Sequence, residues 1–288
     1  MALPHDIFFP AIAAGEGSVS LTWLGTAGFA LEHHGHVIVI DPYLTRASLS
    51  RCFWAPLQSD AQLTEQYVPR ADAIVLSHTH FDHALDAPEI ARRTGARVFG
   101  SRSALNLCRS FGVPETQIEA IEPAAGSTPH EAEVGPFRLR FWPSAHSAFL
   151  LGRIPFPGDI ADCCDVPLRT QGYRCGMVIG TEIEVAGRRI FHVGSAELVE
   201  RHWQINPVDL ALACVAGWTS TERYPERLVA ALSPGTVLFH HWDNFLRDLA
   251  QGAVTLPAMR FPALIDRLQT AAPSLKIGAL PMLGTYTL

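Results

Sequence analysis

Apolar residues recur along this chain in short runs, some alternating with polar ones and some continuous, with helical spacing between them. Residues 19–24, 29–33 and 36–40 read as three strands. Gly25-Thr26-Ala27-Gly28 and His34-Gly35 supply turns suited to hairpins. Residues 45–70 show no clear period and predict a long loop with a short helix. The run at 73–76 is continuously apolar and predicts a buried strand. Helix 84–93, strand 97–99, helix 101–111 and a strand near 118–121 follow, the spacing of parallel strands with crossover helices. In the second half, 137–142 alternates cleanly as a half-exposed strand. Strands at 176–185 and 188–193 are joined by a tight Ala186-Gly187 turn. A strand at 208–215, a helix at 222–232, a strand at 236–239, a helix at 261–271 and a strand near 276–280 complete the chain.

Composition narrows the class. The chain has 288 residues, 48% of them hydrophobic and 17% charged, enough for a sizeable core. No stretch approaches the roughly 20 apolar residues of a membrane span. Residues 1–17 lack a basic segment followed by an apolar one, so no secretion signal is read and a cytoplasmic location is expected. A net charge of −6 argues against general nucleic-acid binding. The six cysteines form no Cys-x-x-Cys pair and are expected as reduced, mostly buried residues. A local site built from Cys163, Cys164 and Cys175 is the lesser alternative.

The densest chemistry lies directly after the apolar run at 73–76. Leu76-Ser77-His78-Thr79-His80-Phe81-Asp82-His83 places three imidazoles and a carboxylate on one strand-to-helix loop. His78 and His80 alternate and so point the same way in extended chain, while Asp82 and His83 turn away into the following helix. Such a loop can offer two ligands to each of two metals. A polar surface loop is the competing reading, and the crowding of ligand-type residues argues against it. His146, just past the strand at 137–142, is a further candidate. So is His241, after the strand at 236–239 and before Trp242.

These residues resemble the His-x-His-x-Asp-His motif and downstream histidines of the metallo-β-lactamase superfamily. The run Trp23-Leu24-Gly25-Thr26-Ala27-Gly28-Phe29 is similar to the opening hairpin of its lactonase-like branch. The resemblance covers nearly the whole chain and implies an α/β fold, the four-layer αββα sandwich, as one domain over 1–288. It implies two divalent metal ions, zinc first, with manganese, iron, cobalt or nickel as alternatives. His78, His80 and His146 would hold one ion, and Asp82, His83 and His241 the other, each keeping an open position for water. Asp41, at the end of the strand at 36–40, would support the metal loop; Pro42 biases it toward extended backbone. His240, one residue off the ligand position, is expected behind the ligands or in the core. The family commonly has Gly-Asp where this chain has Gly194-Ser195, and that aspartate bridges the metals. Ser195 would make at most a weak or water-mediated contact, as in a group of β-lactamases that keep their metal. Glu197 is a rival ligand close by.

The expected activity is hydrolysis of an ester, lactone or phosphodiester small molecule, anionic in character, by a metal-activated hydroxide. Bound water can reach a pKa of about 7 at such a metal. Asp82 would orient it and take a proton. The irregular segment 147–173 is expected to cover the site, with an apolar face suited to an acyl or aromatic group. Two other readings are an iron-dependent redox enzyme on the same fold and a non-catalytic binding module with a reduced metal site.

Overall fold

A computed structural model describes residues 7–10, 15, 17–122, 128–149, 152–256 and 259–288. Most of residues 1–17, over which the absence of a secretion signal was read, and Leu150 and Leu151 of the expected cover lie outside the described residues.

The first half builds one sheet from β1 (Ser20–Gly25), β2 (Gly28–His33), β3 (His36–Ile40), β4 (Ala73–Val75), β5 (Arg97–Gly100) and β6 (Ile118–Ala120). The second half builds another from β7 (His130–Val134), β8 (Phe137–Ser144), β9 (Val178–Val185), β10 (Arg188–Val193), β11 (Leu210–Cys214), β12 (Thr236–His240) and β13 (Lys276–Ala279). The last strand, β14 (Thr285–Thr287), crosses back to pair with β1, so each sheet has seven strands. In both sheets, antiparallel hairpins (β1–β3, β7–β10) lead into parallel strands (β3–β6, β10–β13).

Alternation along each strand decides which layer a side chain enters. Ile38 and Ile40 of β3 and Ala73 and Val75 of β4 join Trp23, Phe29, Phe137, Leu139 and Phe141 in one buried cluster. Their neighbours Val37, Val39, Ile74 and Leu76 join the opposite cluster beneath the helices. That cluster takes Ile90 and Ala91 of α4 (Ala87–Thr94) and Ala104, Leu107 and Cys108 of α5 (Arg102–Ser110). On the second sheet, α6 (Tyr224–Leu232) buries Tyr224, Leu228 and Leu232, and α7 (Phe261–Ala271) buries Phe261, Leu264 and Leu268. This spacing of three and four puts one stripe of each helix on the sheet. The layers are helix, sheet, sheet, helix.

Three expectations need correction. Residues 45–70 hold two helices, α1 (Leu49–Trp54) and α2 (Ala61–Tyr67), because Asp60 caps α2 by accepting from the backbone of Gln62 and Leu63. The helix expected at 84–93 is interrupted: α3 (Phe81–Ala84) stops and α4 restarts past Asp86. Asp86 accepts from the amides of Leu44 and Thr45 and the hydroxyls of Thr45 and Ser59, and these bonds hold the chain at the break. Asp41 is not extended; its φ is +42°. Aspartate tolerates this region better than most residues, and the bonds its carboxylate makes hold it there.

Candidate metal centre

The predicted ligands, and Asp41 expected behind them, sit at C-terminal strand ends, where the two sheets meet. Asp41 follows β3, Ser77–His83 follows β4, His146 follows β8, Ser195 follows β10 and His241 follows β12. Crevices beyond strand carboxyl ends are the usual ligand sites of such sheets. Gly194 permits a close approach to the metal loop: a Cβ there would lie 2.2 Å from the Ser77 Cβ and Oγ. A side chain would push β10 away from the metal loop.

Within the crevice, His78, His80 and His146 form one group, and Asp82, His83 and His241 another. In each, one donor atom per residue lies within 4.8 Å of the others. Four of the five rings are fixed by hydrogen bonds on one nitrogen that leave the other facing the crevice, whereas His241 meets Asp82 through Nε2 and its buried Nδ1 has no hydrogen-bond partner. Asp41 accepts from the Ser77 amide (2.7 Å) and from the Ser77 hydroxyl. Because that hydroxyl donates to Asp41, it accepts from His78 Nδ1 at 3.1 Å. The lone pair of His78 is therefore on Nε2, which is buried without a hydrogen-bond partner. His83 donates from Nδ1 to Asp41 at 2.9 Å. His80 donates from Nε2 to the Pro155 carbonyl at 2.8 Å, and His146 from Nδ1 to the Ser147 carbonyl at 2.7 Å. Each bond selects the tautomer with a lone pair facing its group, as outer partners do for metal-binding histidines. An unpartnered buried nitrogen on a neutral ring fits a metal better than it fits a structural role.

Charge reinforces this picture. Burial and the rings of His83 and His80 push the His78 imidazole far below its ordinary range. Burial also lowers His80, and burial with His80 nearby brings His146 to about 4. These rings are neutral at pH 7, the form that ligates. For Asp82, burial alone would raise the carboxyl, but His83 and the hydrogen-bonded His241 hold it well below the usual carboxylate range. His241 Nε2 is 3.2 Å and His83 Nε2 3.9 Å from Asp82 Oδ2. For His83, burial opposes the proton, yet Asp41 and Asp82 raise its pKa overall.

The remaining candidates are placed differently. Ser195 Oγ accepts from the Ser147 amide at 3.1 Å and lies 3.4 Å from Ser147 Oγ, so it anchors the loop that carries His146. Glu197 is turned away: its carboxylate takes bonds from Thr221, Arg227 and the Leu198 amide. His240 is buried against His192, with ring centroids 4.9 Å apart and planes 13° from parallel, and bonds the Leu212 carbonyl. Cys163 and Cys164 lie at an exposed and a half-buried position, and all six cysteines are free.

The family model described as Beta-lactamase superfamily domain matches residues 36–256. The chain belongs to the metallo-β-lactamase superfamily of metal-dependent hydrolases. A metal-dependent hydrolase of Anaeromyxobacter dehalogenans (strain 2CP-C) is 26% identical over 239 residues, 81% of this chain and 77% of that protein. One from Thermodesulfovibrio yellowstonii is 25% identical over 277 residues, covering 92% of each. Among solved structures, the metallo hydrolase Igni18 of Ignicoccus hospitalis shares the fold with a TM-score of 0.60 at 20% identity, covering 94% of this chain and 98% of its own.

For a member of this superfamily, several supporting residues carried no sequence signal of their own. Ser77 stood inside the motif but reads as an ordinary turn residue. His192, near the end of β10, donates from Nε2 to the Ala27 carbonyl at 3.1 Å. Arg46 and Asp243 form an ion pair of 2.6 Å with both side chains almost fully buried, and Asp243 also accepts from the Thr26 amide. Thr26 in turn accepts from the His241 amide at 2.7 Å. Gly25 makes room for the pair, since a Cβ there would lie 1.8 Å from Arg46 Nη2. Their only sequence cue is that Asp243 lies two residues beyond His241.

Proposed function

We propose that the chain hydrolyses an ester, lactone or phosphodiester small molecule, anionic in character and of the kind taken by lactonase- and phosphodiesterase-like relatives. Its centre would take two divalent ions, zinc first. One observation carries the reading: two compact donor groups share one crevice, and in His78, His80, His83 and His146 a bond on the opposite side of the ring leaves a nitrogen free toward it. His78, His80 and His146 would hold one ion; Asp82, His83 and His241 would hold the other. Bound there, such ions supply Lewis acidity, activating water at a pKa of about 7 and polarising the scissile carbonyl or phosphoryl oxygen.

The chain's own groups do the rest. Asp82, held ionised, is a proton acceptor at its carboxylate oxygens and the one ligand-type carboxylate in the two groups. Asp41 keeps the lone pairs of His78, through Ser77, and of His83 directed into the crevice. Ser195 supplies no bridging carboxylate. Two divalent ions with Asp82 alone retain, formally, one more positive charge than a site with a bridging aspartate. That favours anionic substrates and weakens the second ion. The six free cysteines suit a reducing compartment, in keeping with a cytoplasmic enzyme.

Elemental analysis of the purified protein, followed by a panel of lactones, phosphodiesters and simple esters, tests this. About two equivalents of a redox-inert metal with turnover of one class is expected. Iron with oxygen uptake would replace it with redox chemistry. Protein that takes no metal on reconstitution and turns over nothing would make it a binding module.

A further inference from the structure

His241 is the exception among the rings of the two donor groups. The other four are each held from outside by a hydrogen bond to the ring: His78 by Ser77, His83 by Asp41, His80 by the Pro155 carbonyl and His146 by the Ser147 carbonyl. The His241 ring has no such support among the described residues. Its Nε2 faces Asp82 at 3.2 Å, inside its own group, and its buried Nδ1 has no hydrogen-bond partner. Metal-binding imidazoles are ordinarily aimed by an outer partner. For His241 that aim has to come through the backbone.

The backbone is gripped at three successive residues by the turn between β1 and β2. The His241 amide donates to the Thr26 carbonyl at 2.7 Å. The Trp242 ring stacks on Trp23, with centroids 5.0 Å apart, and Trp23 Nε1 donates to the same Thr26 carbonyl at 3.0 Å. The Thr26 amide donates in turn to Asp243 Oδ1 at 3.0 Å. The amide and the carbonyl of Thr26 are thus both engaged with residues 241–243, directly or through Trp23, while its hydroxyl is buried without a partner. Thr26 and His241 both have left-handed backbone, with φ of +50° and +55°. A non-glycine residue, and a β-branched one above all, keeps that conformation only where its surroundings impose it. Asp243 closes the clamp. Arg46 balances its charge at 2.6 Å with both side chains buried, and reaches the Asn244 carbonyl at 3.5 Å. Among the described residues, no hydrogen bond or ion pair joins Thr26, Arg46 or Asp243 to His78, His80 or His146.

We propose that Asp243 is a positioning residue for the second ion. Acting through the Thr26 peptide, it fixes the His241 ring beside Asp82 and His83, and the group of His78, His80 and His146 does not depend on it. The proposal rests on the reading of His241 as a ligand, and its test keeps the two apart. Full-length, metal-free protein is titrated calorimetrically with zinc alone. His146→Ala and His241→Ala first assign one binding step to each group. Asp243→Leu made together with Arg46→Met removes the acceptor of the Thr26 amide without stranding a charge. It should weaken the His241-dependent step by about ten- to a hundredfold, the usual effect of losing an outer partner, and leave the His146-dependent step unchanged. Asp243→Asn with Arg46→Met keeps a neutral acceptor for that amide and should restore most of the lost affinity. A purely structural role would weaken both steps together and would not separate asparagine from leucine. If the leucine pair does not fold, Trp23→Phe takes its place: it drops only the indole N–H on the Thr26 carbonyl and should weaken the His241-dependent step alone. Equal weakening of both steps, an unchanged His241-dependent step, or no rescue by asparagine overturns the proposal. A His241→Ala protein that keeps both steps intact overturns the ligand reading, and the proposal with it.

Discussion

His83 Nδ1 lies 2.9 Å from Asp41 Oδ2, and the same carboxylate takes both the amide and the hydroxyl of Ser77. One aspartate thus orients a ring in each donor group, His83 directly and His78 through Ser77. Asp41→Asn preserves shape but replaces an acceptor oxygen by a donor. Affinity for both ions should fall by about ten- to a hundredfold, the usual effect of losing such a partner. Metal titration monitored calorimetrically checks this; unchanged affinity would leave Asp41 a purely structural residue.

Ser195→Asp adds a carboxylate just past β10, next to the Ser147 amide that Ser195 now holds. Second-ion affinity should rise and the preference for anionic substrates should fall. If second-ion affinity is unchanged or weaker, the role given to Ser195 is wrong.

Asp82→Asn removes the ionised carboxylate beside His83 and His241. Turnover should fall by roughly 10²- to 10⁴-fold, the range of a lost general base. One equivalent of metal should remain on His78, His80 and His146. Elemental analysis beside steady-state kinetics separates the two effects.

Acid should destabilise the metal-free protein. Burial holds His78, His80, His146, His192 and His240 below their ordinary imidazole values, His146 at about 4. The unfolded chain takes up these protons near pH 6.5, so between about 4 and about 6.5 it binds more protons than the folded one. That stability is present above the window and lost as pH falls through it. His83 runs the other way, since its raised pKa gives stability that is lost as pH rises. Five rings outweigh one, and Tm of chelated protein should drop from neutral pH toward about 4. A Tm that climbs on acidification would contradict the assignment.

Removing one partner of the buried Arg46–Asp243 pair strands a charge where both side chains are at most 2% exposed. Arg46→Met should destabilise by about 3–5 kcal/mol. Arg46→Met with Asp243→Leu should be less damaging than the sum of the single changes. Denaturant melts of the four proteins decide it.

The strands bordering the crevice were legible because their apolar residues alternate or run unbroken, and the motif after β4 named four donors within one turn of chain. β7 escaped because His-Glu-Ala-Glu-Val is a polar edge strand with one fully buried residue. β14 escaped because three half-buried residues make no pattern. The break between α3 and α4 depends on Asp86 meeting Leu44, Thr45 and Ser59, contacts far apart in sequence. The same holds for Asp41: a local rule for residues before proline gave extended backbone, and three long-range bonds imposed the opposite sign of φ. His192 and the Arg46–Asp243 pair take their meaning only from residues brought in by the other sheet.

The donors divide unequally between the halves of the chain. The first sheet contributes His78, His80, Asp82 and His83, and the second contributes one ring to each group, His146 and His241. Neither half can close either group alone, and His241 is supplied only after β12 is in place. Ions that bind only the finished arrangement stabilise it in proportion to their affinity. They would act as a double clasp across the two sheets, fastened last in folding. Chelation would then release the grip of one half of the molecule on the other as well as silence the site.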